Sequence, residues 1–186
     1  MLARLFRSFL NDTKLYGEIK DKPELTLEST ILIFATASLS VIFSISISLA
    51  IGIMEATILQ VLVNGVLGFI SFLLGYLILT VIAWLLGVKI GGGTASFNQI
   101  RTALGYVYPI PNLLSGLLTG LSAIFPFASC LLFPISLWFL VIASSAIRET
   151  LGISKGVTFA IVLIAIVAIF IINGIMGAVI AIVTLA

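Results

Sequence analysis

Most of the chain is apolar, and its charged residues are confined to a few short stretches. Four segments contain no Asp, Glu, Lys, Arg or His: Ser29 to Met54, Ala56 to Val88, Thr102 to Ile147 and Gly156 to Ala186. A helix needs about 20 apolar residues to cross the hydrocarbon core of a bilayer, which is roughly 30 Å thick. Each segment is long enough to cross once, and the third is long enough to cross twice. The pattern predicts an all-α, polytopic membrane helical bundle with five transmembrane helices.

The residues that interrupt the apolar pattern give the boundaries of the five predicted spans. Glu55 separates the first span from the second, and a glycine-rich loop from Gly87 to Ser96 follows the second. Pro126 to Ser129 predicts a tight turn between the third span and the fourth. The predicted spans are Ser29 to Met54, Thr57 to Leu86, a third and a fourth within Thr102 to Ile147, and Val157 to the last residue.

The segment before the first span predicts a short helix that lies on the membrane rather than across it. Apolar residues recur there at helical spacing around Arg4 and Arg7; they are Leu2, Leu5, Phe6, Phe9 and Leu10. A basic amphipathic helix of this kind lies in the headgroup plane. The chain is therefore divided into a cytoplasmic N-terminal segment with an interfacial helix, 1–28, and a five-span transmembrane domain, 29–186.

The nine basic residues all fall in alternate connections, and this sets the predicted orientation. Five precede the first span, two lie between the second and third, and two lie between the fourth and fifth; they are Arg4, Arg7, Lys14, Lys20, Lys22, Lys89, Arg101, Arg148 and Lys155. The cytoplasmic loops of membrane proteins carry an excess of Lys and Arg. The N-terminus is therefore predicted to be cytoplasmic and the C-terminus to lie outside.

The third span is predicted to be irregular. Pro109 and Pro111 remove backbone N–H donors near its start, and Gly116 and Gly120 form a G-x-x-x-G pair that permits close helix packing. Broken helices of this kind form the substrate sites of many transporters. The break keeps open a role as a small transporter or a lipid-translocating membrane protein.

Composition argues against most catalytic and cofactor chemistry. Hydrophobic residues make up 61% of the chain and charged residues 9%, there is no histidine, and Cys130 is the single cysteine. The predicted spans contain no carboxylate, so neither a proton relay nor a paired-carboxylate site is expected inside the membrane. In the glycine-rich loop no lysine follows the glycines, whereas a phosphate-binding loop requires one there. We expect no catalytic residue, no metal, no cofactor and no nucleic-acid partner, and a non-enzymatic function.

Five short motifs follow one another along the chain in a distinctive order. They are Leu15-Tyr-Gly-Glu-Ile-Lys-Asp-Lys-Pro-Glu24, Gly91-Gly-Gly-Thr-Ala-Ser-Phe97, Ala103-Leu-Gly-Tyr-Val-Tyr-Pro109, Ser136-Leu-Trp138 and Ile147-Arg-Glu-Thr-Leu-Gly152. Together they resemble the Yip family (Ypt/Rab-interacting protein, YIP domain). The resemblance implies an integral membrane protein that acts in membrane organisation or vesicle trafficking by recruiting partners at its cytoplasmic face.

The chain departs from the eukaryotic members of that family. Leu15-Tyr16-Gly17 lacks the proline that follows the corresponding residues in those relatives, and the segment before the first span is shorter than theirs. The departure favours a prokaryotic member in a cell membrane. A Rab-type GTPase is an expected partner, and the endoplasmic reticulum or Golgi an expected location, only if the protein is eukaryotic.

The resemblance also selects candidate contacts for a partner or a lipid, at family-motif positions. These residues are Asp21, Pro23, Glu24, Gly91, Gly92, Ser96, Phe97, Gly105, Tyr106, Pro109, Arg148 and Glu149. The expected partners are membrane lipids, a second copy of the chain or another membrane protein. At Arg148 two interpretations compete: completion of a helix C-terminus by a cation, and recruitment of a partner or an anionic lipid.

Overall fold

The computed structural model describes residues 1–20, 22–50, 58–122 and 124–185, and these ranges are helical with short connections, without any strand. The helices are α1 (Leu2–Phe9), α2 (Lys14–Lys20), α3 (Leu25–Ala50), α4 (Ile58–Lys89), α5 (Phe97–Val107), α6 (Pro109–Leu121), a 3-10 helix (Pro126–Leu131), α7 (Leu132–Leu151) and α8 (Lys155–Leu185). The all-α prediction is confirmed.

Four helical segments are long and apolar enough to cross a membrane. They are Leu25–Ile47, Gly65–Lys89, Pro126–Leu151 and Lys155–Ile175. The third predicted span corresponds instead to α5 and α6, which have 11 and 13 residues. Each of these is shorter than the ~20 residues that a single crossing needs. The structure therefore supports an integral membrane protein with four candidate spans and one interrupted helix.

The interruption lies where the sequence predicts it, at the proline pair. Pro109 and Pro111 have no N–H group, so the carbonyls of Gly105 and Val107 lose their usual donors one turn later. Tyr108, the one residue between α5 and α6, keeps helical backbone angles (φ −64°, ψ −37°). Its N–H still donates to the carbonyl of Leu104 over 2.9 Å. The two helices thus meet with only one residue between them.

Helix ends extend past the charge-free segments. α3 begins at Leu25 and includes Glu28, whereas the predicted span begins at Ser29. α4 continues to Lys89, so the glycine-rich loop covers only residues 90–96. The predicted loop was too long because it was taken to begin at Gly87, a glycine that α4 includes within its last turn. α2 is a further helix within the polar lead-in, with Tyr16 fully buried.

Buried side chains concentrate toward one end of the bundle. We call it the basic end, because the start of α3, the end of α4, the start of α5 and the α7–α8 connection meet there with their lysines and arginines. In the four long helices the buried residues fall within 25–37, 75–87, 140–151 and 158–165. α2 and α5 fill the space between these parts of the helices. Toward the other end, which we call the opposite end, no described side chain of the long helices is buried.

Hydrogen bonds fix the two N-terminal helices to the bundle. The Arg4 guanidinium donates to Glu28 of α3 (2.9 Å), and the indole N–H of Trp138 in α7 donates to the carbonyl of Phe9 (2.9 Å). Gln99 of α5 donates to the carbonyl of Lys20 over 3.0 Å. α1 and α2 are therefore docked parts of the fold and not a loose polar tail.

Candidate functional site at the basic end

Two of the sequence-selected residues, Pro23 and Ser96, line the same cavity. This cavity of about 730 Å³ lies between α2, the α2–α3 turn and the start of α5, and Lys20 and Lys22 also line it. We call it the lysine cavity. Glu24 is exposed beside Pro23, whereas Asp21 lies outside the described residues.

Ser96 has a defined structural task at this cavity, because it caps the N-terminus of α5. Its hydroxyl accepts the Gln99 N–H (3.3 Å), and the Gln99 side chain in turn accepts the Ser96 N–H (2.8 Å). This reciprocal pair satisfies two of the backbone donors that every helix start leaves free. The positive end of the α5 dipole and two lysines thus share one cavity, which favours an anionic contact there.

The glycines of the 90–96 loop are explained by space and backbone angle. Gly92 adopts φ +70°, which favours glycine. A Cβ added to Gly91 would lie 2.7 Å from the carbonyl oxygen of Gly87, and one added to Gly93 would lie 2.6 Å from Leu151. The loop is therefore pressed onto the ends of α4 and α7. Gly93, which the sequence analysis did not select, is as constrained as its two neighbours.

Of four further selected residues, Phe97 is half-buried and the other three are buried. Phe97 packs edge-on against Trp84, with ring centroids 5.9 Å apart. Gly105 is the point where α5 approaches α3, because an added Cβ would lie 2.7 Å from the Ser29 Cβ. Pro109 is buried at the start of α6, and Tyr106 is only 1% exposed. Gly105, Tyr106 and Pro109 are therefore buried where α5 and α6 pack into the bundle.

Tyr106 belongs to a polar cluster that the sequence analysis did not find. Its hydroxyl donates to Glu28 over 2.7 Å, and the other oxygen of the same carboxylate accepts from Arg4. The cluster ties α1, α3 and α5 together at one carboxylate. A signal was present in the sequence, because Glu28 is the last charged residue before the first charge-free segment. The charge pattern places Glu28 at the end of the polar lead-in, whereas the residue lies in the first turn of α3.

Arg7 of α1 forms ion pairs with two carboxylates of the N-terminal region. Arg7 pairs with Asp12 (2.7 Å) and with Glu18 (2.8 Å). Its hydrogen bonds hold the pKa of both carboxyl groups below their usual values. Burial raises the pKa of Tyr16 to about 12, and this hydroxyl lies 3.1 Å from the Ser8 hydroxyl. Among the described residues, Lys20, Lys22, Lys89 and Lys155 have no carboxylate within ion-pair distance.

Arg148 and Glu149 form an ion pair with each other in the last turn of α7. Arg148 also lines a second cavity at the basic end, of about 390 Å³, together with Lys155 and Thr158 of α8. We call it the α7–α8 cavity. It is separate from the lysine cavity, so the selected residues are divided between two recesses rather than gathered in one.

A third, uncharged cavity lies at the helix break. It has a volume of about 170 Å³ and is lined by Tyr108, Asn112, Ser115 and Ser136, with no charged residue among those that line it in the described part of the chain. Asn112 donates its side-chain N–H to the carbonyl of Tyr108 over 2.8 Å. We call this recess the break cavity. It lies in the middle part of the bundle, beside Ile166 and Ile169 of α8.

The arrangement of side chains offers contacts rather than an evident reaction centre. Within the described ranges there is no group of three His, Cys, Asp or Glu residues that could hold a metal ion. Cys130 is exposed in the 3-10 helix at the opposite end. The absence of a cofactor and of catalytic residues stays a prediction from the sequence.

Comparison with known proteins supports the family resemblance that the order of the motifs indicates. A family model described as the Yip1 domain matches residues 6–176, which is nearly the whole chain. No curated protein and no solved structure gives a significant match. The matched region runs from α1 into α8 and so includes both N-terminal helices, the glycine-rich loop and the helix break. The chain therefore belongs to the Yip1 domain family of membrane proteins.

Proposed function

We propose that this chain is a non-enzymatic membrane protein that organises its membrane by recruiting a protein partner to the lysine cavity. The single observation that carries the proposal is the construction of that cavity. Lys20 and Lys22 have no ion pair among the described residues, and they face the capped start of α5 in a recess of about 730 Å³. Such a surface favours an acidic partner, because charge complementarity steers association and fixes register.

The proposal includes a topology of five crossings with a cytoplasmic N-terminus and an external C-terminus. Its support is the path of the chain, since α5 and α6 together lead from the basic end toward the opposite end. The lysines and arginines gather at the basic end, as expected for a cytoplasmic face. α1 would lie in the interface, because Leu2 and Phe6 are 64% and 61% exposed on one helical face. The membrane would be a cell membrane in a prokaryote and the endoplasmic reticulum or Golgi in a eukaryote.

The single cysteine provides a direct test of this topology. Cys130 is exposed at the opposite end, so a membrane-impermeant maleimide should label it on sealed, right-side-out membranes without permeabilisation. A matched variant carries Cys130→Ser and Asn98→Cys, which moves the thiol to the basic end. That variant should be labelled only after permeabilisation. Labelling of both thiols from the same side would contradict the five-crossing topology.

Site-specific photocrosslinking tests the recruitment. A photoreactive residue at position 98, in the lysine cavity, should give a protein adduct in native membranes, and one at Phe127, exposed at the opposite end, should not. Charge reversal by Lys20→Glu and Lys22→Glu should abolish the adduct. An adduct that persists after this reversal, or that forms equally from position 127, would contradict recruitment by the lysine cavity. A Rab-type GTPase would be the adduct only in a eukaryotic host.

The break cavity favours a second candidate function, lipid translocation. Uncharged polar groups of Asn112, Ser115 and Ser136 line a recess beside an interrupted helix, and interrupted helices provide the polar sites of many transporters. In liposomes, the protein should accelerate the movement of a labelled lipid between leaflets. Asn112→Leu should remove the acceleration, whereas Asn173→Leu, at an exposed position of α8, should keep it. Equal rates with and without protein would eliminate this function.

A further inference from the structure

The α7–α8 cavity combines cationic and hydroxyl groups with no carboxylate in its lining. Ser144, Ser145 and Arg148 come from α7, and Lys155 and Thr158 from α8. Of the described residues that line this recess of about 390 Å³, two are cations and none is acidic. The Ser144 and Thr158 hydroxyls already donate to backbone carbonyls of their own helices, so Arg148 and Lys155 supply the charge and the hydrogen bonds that suit a phosphate group.

The positive charge of this cavity is only partly compensated. Arg148 is paired with the adjacent Glu149, but Lys155 has no carboxylate within 4.0 Å among the described residues. Asp12, the acidic residue next in the chain to the cavity-lining Asn11, is held by Arg7. α8 begins at this cavity, and the backbone N–H groups of its first turn add to the positive potential there. A single phosphate would balance the excess.

Apolar residues form one wall of the α7–α8 cavity, next to its cationic part. Val141 and Phe159 also line it, and they are 41% and 46% exposed. Both belong to candidate membrane spans. Trp138, one turn before Val141 on α7, donates its indole N–H to the carbonyl of Phe9. The cavity therefore has a cationic, hydroxyl-lined part and an apolar wall formed by two candidate membrane spans.

We propose that the α7–α8 cavity binds the headgroup phosphate of an anionic phospholipid, whose acyl chains follow the exposed faces of α7 and α8. A free phosphate ion would gain nothing from Val141 and Phe159, so the apolar wall favours the lipid as the source. Lys155 supplies the uncompensated charge. This binding goes beyond the proposed recruitment of a protein, because it uses a different recess and needs no protein partner.

The two tryptophans allow a direct measurement of lipid preference. In a Trp84→Phe background, Trp138 is the one remaining tryptophan and reports on lipids beside α7. The protein is reconstituted in phosphatidylcholine vesicles, and phosphatidylglycerol with brominated acyl chains is added stepwise. Quenching should reach half its maximum at a mole fraction about fivefold lower than with brominated phosphatidylcholine, since one basic residue near a membrane surface contributes about 1 kcal/mol toward an anionic lipid.

Charge-matched variants separate a specific site from a general attraction. Lys155→Glu should make the two lipids equally effective, whereas Lys89→Glu, the same change at the same end but outside the cavity, should keep the preference. Equal quenching by both lipids in the parent protein, or an equal loss in both variants, would overturn the proposal. Displacement of the brominated lipid by inorganic phosphate would overturn the assignment to a lipid. The crosslink from position 98 should be unchanged by Lys155→Glu, so this proposal and the recruitment proposal fail independently.

Discussion

The basic end and the opposite end of the same helices are packed in different ways. At the basic end, α2 and α5 lie between the long helices, and residues such as Tyr16, Ile100 and Ile142 are fully buried. At the opposite end, Phe133 and Phe170 of the same bundle are 70% and 79% exposed. The long helices carry many apolar side chains in both parts, so the presence of apolar residues alone does not explain the difference.

This difference indicates which part of the bundle depends for its stability on contacts between its own side chains. A lipid-facing side chain loses nothing by exposure, because lipid tails are as apolar as leucine. The basic end carries charged groups and helix ends, whose polar atoms need partners within the protein or in water. It therefore gains from close contacts such as Gly105 on Ser29 and from the Glu28 cluster. Substitutions should be costly there and tolerated at the opposite end.

A matched pair of glycine substitutions should produce the largest contrast. Gly105→Val would push the valine into Ser29 of α3, and we expect overpacking to lower stability by about 3 kcal/mol. The unfolding midpoint in detergent should fall by roughly 6–12 °C. Gly116→Val, on α6, should change it little, because an added Cβ meets no atom within 4 Å. Equal midpoints for the two variants would remove the contrast in packing.

The Glu28 cluster should give a smaller effect. Tyr106→Phe removes the hydroxyl that donates to Glu28 and should cost about 1.5 kcal/mol, as for a hydrogen bond to a charged group. The unfolding midpoint should drop by roughly 3–6 °C. As the control, Ser136→Ala removes an exposed hydroxyl that bonds only to the Leu132 carbonyl, and its cost should stay below about 0.5 kcal/mol. A Tyr106→Phe variant as stable as the control would mean that the cluster does not stabilise the fold.

The smallest effect should come from acid pH, through the N-terminal helices. The pKa values of Asp12 and Glu18 are lowered in the fold, so their pairing with Arg7 stabilises the protein above their ordinary pKa values, about 4. That contribution is lost as the pH falls through the lowered values. Trp138 fluorescence, in the Trp84→Phe background, should report the loosening of α1 below about pH 4. Arg7→Gln should reduce this acid-dependent step but not abolish it, because protonation of Glu28 would also release Arg4 of α1. A step of unchanged size in the variant would assign it to groups other than Asp12 and Glu18.

Much of the fold could be predicted from the sequence because of one rule, that a helix crossing a bilayer needs about 20 consecutive apolar residues. The rule located α3, α4, α7 and α8, and the proline pair located the break at Tyr108. It could not locate α2 or the start of α3, because these depend on contacts between distant residues. Leu15 and Tyr16 are buried because α5 and α7 lie against them. Glu28 is accommodated in the first turn of α3 because Arg4 and Tyr106 donate hydrogen bonds to its carboxylate.

The candidate site was predictable only in part. Motif order selected Ser96 and Arg148, but not that they line two separate cavities or that Lys155 shares the second. Gly105, Tyr106 and Pro109 were selected with them and proved to be core residues. A linear motif cannot distinguish a residue that packs in the core from one that could contact a partner. The difference depends on which residues from elsewhere in the chain surround it.

Residue type and spacing along the chain are enough to predict that this protein is helical, that it lies in a membrane and that its positive charge is collected in alternate connections. These properties depend on residue type and spacing along one chain, which act locally on each helix. The contacts between helices are needed to know which half of each helix is buried, which charges are paired and which cavities remain between helices. Those properties depend on the distances between segments far apart in sequence, so they cannot be predicted from the residue pattern of any one segment.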